Sequence, residues 1–487
     1  MSHSATVKKP KGCSVAADLQ VDEILSQTRG RMIGRSTAPL PLSRVSTDTR
    51  LLEKNDVFFA LVGKRFDGHD FITQAMEKGV RTFVVSNRGK IKADQLKSAV
   101  FIHVEDTLTA YGDLARHHRQ KFKIPVIAIT GSSGKTTVKE LAAHLLSSKF
   151  KVLKNRGTEN NLIGVPKTLL QMDVGTEVVV LEMGTSLPGE IERLSSIGRP
   201  QVGVLTQIGY SHLEGLKSLE GVREEKLTLL KNLERGGMLI VNGEDPQLAG
   251  LQSGVHRLVR VGFSAIGGPA SGGRPARVDV SAGNIWSHEQ GTTFTLNGTD
   301  KIQTLLLGRH NVLNCLLAIQ AALALGVELG AIQKSLPGFK PMPGRLSLKT
   351  VDDIQFLDDS YNSNPTSLRA ALETLKSLKT RGKKGVVFGD MLELGKDAEA
   401  LHRQAGRSLA EHLFDFVVAT GPLSEHLAEE AVKAGYPAGK IFHAKDSADA
   451  GKICQKLASG GDLVLVKGSR GMQMEKIFEC FMSCSTR

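Results

Sequence analysis

The chain has 487 residues, 40% apolar and 23% charged, which is ordinary for a soluble globular protein of two to four domains. Its formal net charge of +13 invites a nucleic-acid reading, but the basic residues are dispersed, aromatics are 5% and there is one Trp. Without a stacking platform or a basic helix that reading fails, and anionic nucleotides suit the charge as well. No run approaches the ~18 apolar residues of a membrane span, and the amino terminus carries Lys8, Lys9 and Lys11 but no apolar signal core. The five cysteines (Cys13, Cys315, Cys454, Cys480, Cys484) form no C-x-x-C pair, which argues against a disulfide framework or a zinc site. A cytoplasmic protein without membrane insertion is expected.

Residues 1–16 read as a flexible extension. Short buried strands are then predicted at Val57–Val62, Thr82–Ser86 and Val100–Val104, separated by helical patterns near 70–79 and 107–121. A new unit opens at Ile124. Apolar runs recur at 125–130, 178–182, 202–206 and 237–241, continuous rather than alternating, as in a parallel sheet covered on both faces. The stretch 264–277, rich in Gly, Ala, Ser and Pro, reads as a loop or insertion before a small β region around 278–307. Gly308–Gly326 reads as a helix, and Pro337–Gly344 as a hinge-like linker. Strand signals at 354–358, 385–389, 416–420 and 462–467 then alternate with helical patterns near 367–380, 398–412, 423–434 and 447–458. The expected fold is α/β with three domains: a smaller amino-terminal α/β domain (1–123), a central P-loop ATPase domain with a mostly parallel sheet (124–336), and a carboxy-terminal Rossmann-like doubly wound domain (337–487).

The most informative motif is Thr130-Gly-Ser-Ser-Gly-Lys-Thr-Thr137, which follows a predicted strand and precedes the helical pattern Val138, Leu141, Ala142, Leu145, Leu146. A strand, a tight loop and a helix N-terminus together cradle a nucleotide triphosphate. Gly131, Ser132, Ser133 and Gly134 would surround the phosphates with backbone N–H groups. Lys135 would reach the terminal phosphates, the Thr136 hydroxyl would ligate Mg²⁺, and Thr137 completes the ATP contact. The first Gly of the general G-x-x-x-x-G-K-[ST] loop would fall at Ile129, so this is a narrower variant.

Other polar residues fall at strand ends, where ligands gather in such sheets. Glu182 ends an apolar strand and is placed to hold magnesium, against the plainer reading of a solvated acid. His212 follows the run at 202–206. Lys226 lies on a predicted helix, where residue chemistry alone leaves it a surface lysine near Glu partners. Asn311 and Asn314 either cap a helix or face a base. Three carboxy-terminal clusters, Asp358–Pro365, Gly389–Gly395 and Lys467–Arg470, share one sheet edge and suggest that it faces a ligand.

Taken together these residues resemble the Mur ligases, ATP-dependent amide-forming enzymes of peptidoglycan precursor assembly, from about residue 40 to about 472. The resemblance implies that Glu182, His212 and a carbamylated Lys226 are metal-side residues, with two Mg²⁺ ions. Lys135, His212, Lys226 and Asn161 would carry catalysis, and Asn311, Arg345 and Asp359 would contact ATP. Within the family, Thr158–Pro166, Asp359–Pro365 and Gly389–Gly395 are similar to the member that adds D-alanyl-D-alanine to UDP-N-acetylmuramoyl-tripeptide. That resemblance gives substrate roles to Ser46, Thr47, Asp48, Arg50, Asp67, Gly68, His69, Thr158, Asn160, Asn161, Tyr361, Asn362 and Asn364. It implies a monomer. Ser363 and Ser211 stand where the family more often has Ala. The alternatives are the ligase adding the third residue, a folylpolyglutamate synthase-like ligase, and a non-ligase P-loop NTPase that would not need Glu182, His212 and Lys226 in that order.

Overall fold

The computed structural model describes residues 20–34, 42–264, 278–288 and 290–482. The extension at 1–16, Cys13, Cys484 and all of 264–277 but Ser264 lie outside the described residues.

Three sheets follow one another along the chain. The first is built from β1 (Arg31–Ile33), β2 (Val45–Ser46), β3 (Val57–Phe59), β4 (Thr82–Val85) and β5 (Val100–His103), in the order β1-β5-β4-β3-β2. Only β1 runs antiparallel to its neighbour. Phe58, Phe83 and Phe101 pack under it, with the last two rings stacked at 4.9 Å.

The second sheet contains β6 (Val126–Thr130), β7 (Val152–Lys154), β8 (Val178–Glu182), β9 (Val202–Leu205), β10 (Met238–Asn242), β11 (Arg257–Phe263), β12 (Val280–His288), β13 (Gly291–Leu296) and β14 (Asp300–Thr304). Its order is β14-β13-β12-β11-β10-β9-β6-β8-β7. From β12 to β6 the pairing is parallel, and β12, β13 and β14 form an antiparallel meander at one side. Every residue of β6, β8 and β9 is buried. That explains why these strands read as unbroken apolar runs rather than alternating ones. The helix Lys135–Leu146 follows β6 and buries Val138, Leu141, Ala142, Leu145 and Leu146, the five positions expected from its periodicity.

The third sheet contains β15 (Ser347–Val351), β16 (Ile354–Asp359), β17 (Lys384–Gly389), β18 (Phe416–Thr420), β19 (Ile441–Ala444) and β20 (Leu463–Lys467), in the order β15-β16-β20-β17-β18-β19. All pairs are parallel except the β15–β16 hairpin. Phe356 meets Phe478 and Phe481 edge-on, at 5.5 Å and 4.9 Å, in the core beneath it. The expected α/β class, with a mostly parallel central sheet and a doubly wound carboxy-terminal one, is what the chain forms.

By contact the chain divides into two compact units. One comprises residues to Pro125, Lys151–Val179 and Ser196–Arg199; the other comprises Val126–Phe150, Val180–Ser195 and the chain from Pro200 onward. The carboxy-terminal sheet and most strands of the central sheet thus share a unit, while β7 and the start of β8 are counted with the other.

Gly385 in β17 shows how tight the third layer is: a Cβ there would lie 2.1 Å from the Phe416 ring. Gly385→Ala should cost about 1–3 kcal/mol, the usual penalty of overpacking, read as a lowered urea midpoint; an unchanged midpoint would contradict this packing.

Candidate functional site

The phosphate-loop candidates lie where β6 ends. Gly134 is the N-cap of the helix that begins at Lys135, with φ +84°, a conformation that favours glycine. Lys135 Nζ donates to the Gly131 carbonyl at 2.6 Å. Ser132 ties the loop to the segment after β9: its Oγ donates to the Gly209 carbonyl at 2.8 Å and accepts from Ser211 Oγ at 2.9 Å. Ser211 thus bonds the loop directly. Thr206 Oγ1 donates to the Ser133 carbonyl at 2.5 Å. Thr136 and Thr137 are both buried.

Glu182, the last residue of β8, is 1% exposed, so the reading of a solvated surface acid is overturned. Lys139 Nζ stands 3.8 Å from it and 3.0 Å from Glu140. Sequence reasoning gave Lys139 no role. The available signal was its position four residues after Lys135, which places both on one helix face.

Lys226 is likewise 1% exposed, against the surface lysine that residue chemistry alone predicts. Its helix, Leu219–Leu227, turns Val222, Glu225 and Lys226 inward. The adjacent Glu225 carboxylate does not serve it as a hydrogen-bond acceptor. Glu225 instead accepts from Gly189 N at 2.7 Å and Ile191 N at 2.8 Å, at the start of the helix Glu190–Gly198, and from Thr185 Oγ1 at 3.2 Å. Burial, reinforced by the charge of Lys135, pushes the Lys226 ammonium well below its ordinary pKa. Burial also lowers Lys135, while Glu182 opposes the shift and Arg345 adds to it. Lys135, Glu182, Lys226 and Arg345 therefore share one electrostatic neighbourhood.

His212 has a left-handed backbone, φ 54°, and its Nδ1 lies 2.6 Å from Glu393 Oε2. The close approach of His212 holds the Glu393 carboxyl below its usual value. Glu393 belongs to the predicted ligand-facing string Gly389–Gly395 but had no role of its own.

Asn311 is the third residue of the helix Arg309–Ala324, not its cap, which is Gly308. Its Nδ2 donates to the Leu307 carbonyl and its Oδ1 accepts from Asn314 Nδ2, each at 2.8 Å. Asn314 in turn abuts the loop glycine, where a Cβ on Gly134 would lie 2.5 Å from its Oδ1. Both Asn side chains are buried.

From the carboxy-terminal sheet, Asp359 at the end of β16 pairs with buried Lys467 at 2.5 Å, and Lys467 also donates to the Asn362 carbonyl at 3.0 Å. His310 feels both charges, and burial pushes its imidazole down to about 4. The Arg345 guanidinium lies over the Tyr361 ring at 4.1 Å. Asn364 caps the helix Pro365–Ser377 in a capping box with Ser367, and its Nδ2 reaches Ser133 Oγ at 3.3 Å. Phosphate loop, Asn pair and carboxy-terminal polar edge are thus brought together within one unit.

The remaining candidates fall in the other unit. Asp48 caps the turn Thr49–Leu51 and pairs with Arg50 at 2.7 Å. Ser46 Oγ donates to the Asp48 carbonyl at 3.3 Å, with Thr47 between them. Asp67 takes His69 Nδ1 at 2.6 Å, while His69 Nε2 accepts from Ser86 N at 2.9 Å. His69 therefore carries its proton on Nδ1 and braces the exit of β4. A Cβ on Gly68 would meet the backbone at Ala60 and Leu61. Asn161 Oδ1 accepts from Gly164 N at 2.9 Å, and Asn160 N donates to the Thr158 carbonyl at 2.8 Å. Lys167, paired with Glu159 at 2.8 Å, contributes its charge at Asp48. The segment with Thr158, Asn160 and Asn161 thus lies in the same neighbourhood as Ser46–Arg50.

Among the described residues no three His, Cys, Asp or Glu side chains form a metal cage. Magnesium does not demand one, since it takes one or two carboxylates plus water and phosphate oxygens. A buried Glu182 beside a phosphate loop and the Thr136 hydroxyl fit that pattern.

Family models match most of the chain. The Mur ligase family, catalytic domain matches residues 41–119, the Mur ligase middle domain 129–322, and the Mur ligase, glutamate ligase domain 344–470. The chain is 36% identical over 459 residues to the UDP-N-acetylmuramoyl-tripeptide--D-alanyl-D-alanine ligase of Bacillus subtilis (strain 168), covering 94% of this chain and 97% of that one. It is 35% identical over 456 residues to the protein of the same name from Escherichia coli (strain K12), covering 92% and 96%. A crystal structure of MurF from Acinetobacter baumannii superposes with a TM-score of 0.83 at 30% identity, covering 95% and 98%. The MurF ligase of Thermotoga maritima in complex with ADP gives 0.78 at 28%, covering 90% and 97%.

Gly134→Ala should weaken ADP binding about tenfold by calorimetry, since a left-handed side chain costs roughly 1–2 kcal/mol and this one would also displace Asn314. Undiminished affinity in a folded variant would contradict the loop geometry.

Proposed function

The chain belongs to the Mur ligase family, and from that premise we propose that it joins D-alanyl-D-alanine to UDP-N-acetylmuramoyl-tripeptide, with ATP cleaved to ADP and phosphate. The observation that carries this reading is the convergence of Lys135, Glu182, Lys226 and Arg345 beside the phosphate loop. It is supported by identity of 35–36% to two ligases of that name over more than nine-tenths of the chain.

The acceptor carboxylate is a poor electrophile. One of its oxygens attacks the γ-phosphorus of ATP, the bond to the β-bridging oxygen breaks, and ADP leaves. The acyl phosphate so formed has a good leaving group. The neutral amine of the dipeptide attacks its carbonyl carbon, the tetrahedral adduct loses a proton, and phosphate departs as the amide forms. Lys135 would offset charge on the transferring phosphoryl group. Glu182 and Thr136 would hold one Mg²⁺, and His212 with Lys226 would stand at the side of a second. Magnesium supplies charge neutralisation and alignment of the phosphate oxygens. Asn311, Arg345 and Asp359 would orient the nucleotide, and Tyr361, Asn362 and Asn364 the dipeptide. Ser46, Thr47, Asp48, Arg50, Asp67, Gly68, His69, Thr158, Asn160 and Asn161 would hold the UDP-sugar peptide, Asn161 nearest the reacting carboxylate. Domain limits of 1–123, 124–336 and 337–487 suit this division of labour, as do a monomer and a cytoplasmic location.

Lys226 is suited to carbamylation. The reaction consumes an uncharged amine: R–NH₂ plus CO₂ gives R–NH–COO⁻ and a proton. A buried ammonium whose neighbouring carboxylate is engaged elsewhere is the lysine that gives up its proton most readily. Carbamylation turns an unfavourable buried cation into an anion able to face a metal.

The reading is tested by phosphate release from ATP with UDP-N-acetylmuramoyl-tripeptide, with and without D-alanyl-D-alanine. Dipeptide-dependent turnover is expected, and its absence would overturn the assignment. Lys226→Ala should lower turnover by roughly a hundredfold or more, on the scale of losing one preorganised electrostatic group. Short carboxylates such as acetate should restore part of it; a loss indifferent to them would argue against the carbamate.

A further inference from the structure

Glu393 is presented outward by a turn rigidly tied to the carboxy-terminal sheet. Asp390 Oδ1 accepts from Ser424 N at 2.7 Å, Met391 N donates to His402 Nε2 at 3.0 Å, and Leu392 N donates to Ser469 Oγ at 2.8 Å. At the tip Glu393 adopts φ 62°, and it meets His212, at φ 54°, in two ways. One Glu393 carboxylate oxygen lies 2.6 Å from His212 Nδ1, and the Glu393 carbonyl accepts from Leu213 N at 3.0 Å. An exposed ion pair alone is worth little, about 0–1 kcal/mol. Here a close side-chain contact and a backbone hydrogen bond converge on two facing residues that both hold an unfavourable left-handed conformation. Such strain persists where surroundings over-determine it. On the other side, His212 is anchored to the phosphate loop, because its neighbour Ser211 bonds Ser132 at 2.9 Å.

We propose that Glu393 is a positioning residue: it clasps His212 from the carboxy-terminal part and fixes where its ring is held beside the phosphate loop. A carboxylate beside one histidine nitrogen is the usual way to fix the aim of the ring. The clasp comes from a different sheet than the phosphate loop, so His212 is correctly aimed only when the two parts are together. Closure and completion of the site become one event. This inference rests on the metal-side role given to His212 under the proposed function.

The test compares wild type with Glu393→Ala, Glu393→Gln, His212→Ala and the double alanine variant in the full chain. Glu393→Ala should lower kcat by about 10–100-fold, the usual effect of losing such a partner, with KM for the UDP-sugar peptide little changed. Glu393→Gln keeps an oxygen beside Nδ1 and should recover much of the loss. The double variant should be no slower than His212→Ala, because Glu393 acts through His212. Small-angle scattering with a non-hydrolysable ATP analogue and both substrates should show Glu393→Ala more expanded than wild type. Full kcat in Glu393→Ala, losses that multiply in the double variant, or identical scattering dimensions would each overturn the proposal. If the alanine variant does not fold, Glu393→Leu, which keeps the bulk and removes the carboxylate, takes its place, and full kcat with wild-type dimensions in that variant would overturn it equally. Wild type without dipeptide-dependent turnover would sink the functional reading itself, whereas an active wild type beside an unaffected Glu393→Ala sinks only the clasp.

Discussion

The central site is organised around buried positive charge that protein carboxylates do not fully match. Lys139, Lys226 and Lys467 are each no more than 1% exposed. Removing an ammonium from water is costly unless an acid answers it. Lys467 is answered by Asp359, and Lys139 by Glu140 and Glu182. The carboxylate that acts on Lys226 is Glu225, whose oxygens are spent on the backbone N–H groups of Gly189 and Ile191, earlier in the chain. Lys226 must lose its proton, acquire an anion, or become one. Any ligand that brings phosphate or carboxylate oxygens therefore stabilises the site as it binds, so recognition and charge balance are a single requirement.

That requirement also accords with the polar contacts made between the nucleotide-binding and carboxy-terminal sheets. Asn364 reaches Ser133, Arg345 contributes its charge at Lys135, and His310 lies under the influence of Asp359 and Lys467. These are hydrogen bonds and fields of modest individual strength.

The central strands were legible because burial on both faces leaves unbroken apolar runs, as at Val178–Glu182 and Val202–Leu205. The edge strands were not. Ser347–Val351 is polar, partly exposed and fixed by a two-residue turn at Asp352 and Asp353, both with positive φ, where an Asn-Gly pair would have signalled a hairpin. Val45–Ser46 and Ile441–Ala444 are too short and too exposed to stand out. Among site residues, the loop declared itself through spacing. Lys226 did not, since nothing local distinguishes a lysine turned inward on its helix from one turned out. The resemblance to the family supplied that residue, and the fold supplied the reason it matters. Glu393 and Lys139 needed coordinates, because each acts on a partner distant or concealed in sequence.

The narrowed phosphate loop has a cause in the sheet beneath it. A first glycine of the general loop would stand at Ile129, but Ile129 is fully buried and lies opposite Val204 in the parallel pairing of β6 with β9. A glycine there would open a hole between strand and covering helices and loosen the strand that aims the loop. The chain therefore turns only after Thr130. Its first glycine is Gly131, and Ser132, bonded to Gly209 and Ser211, supplies from outside the loop the rigidity that added length would have supplied from within. The same serine joins the loop to the segment carrying His212, so bracing of the loop and placement of that histidine share one hydroxyl.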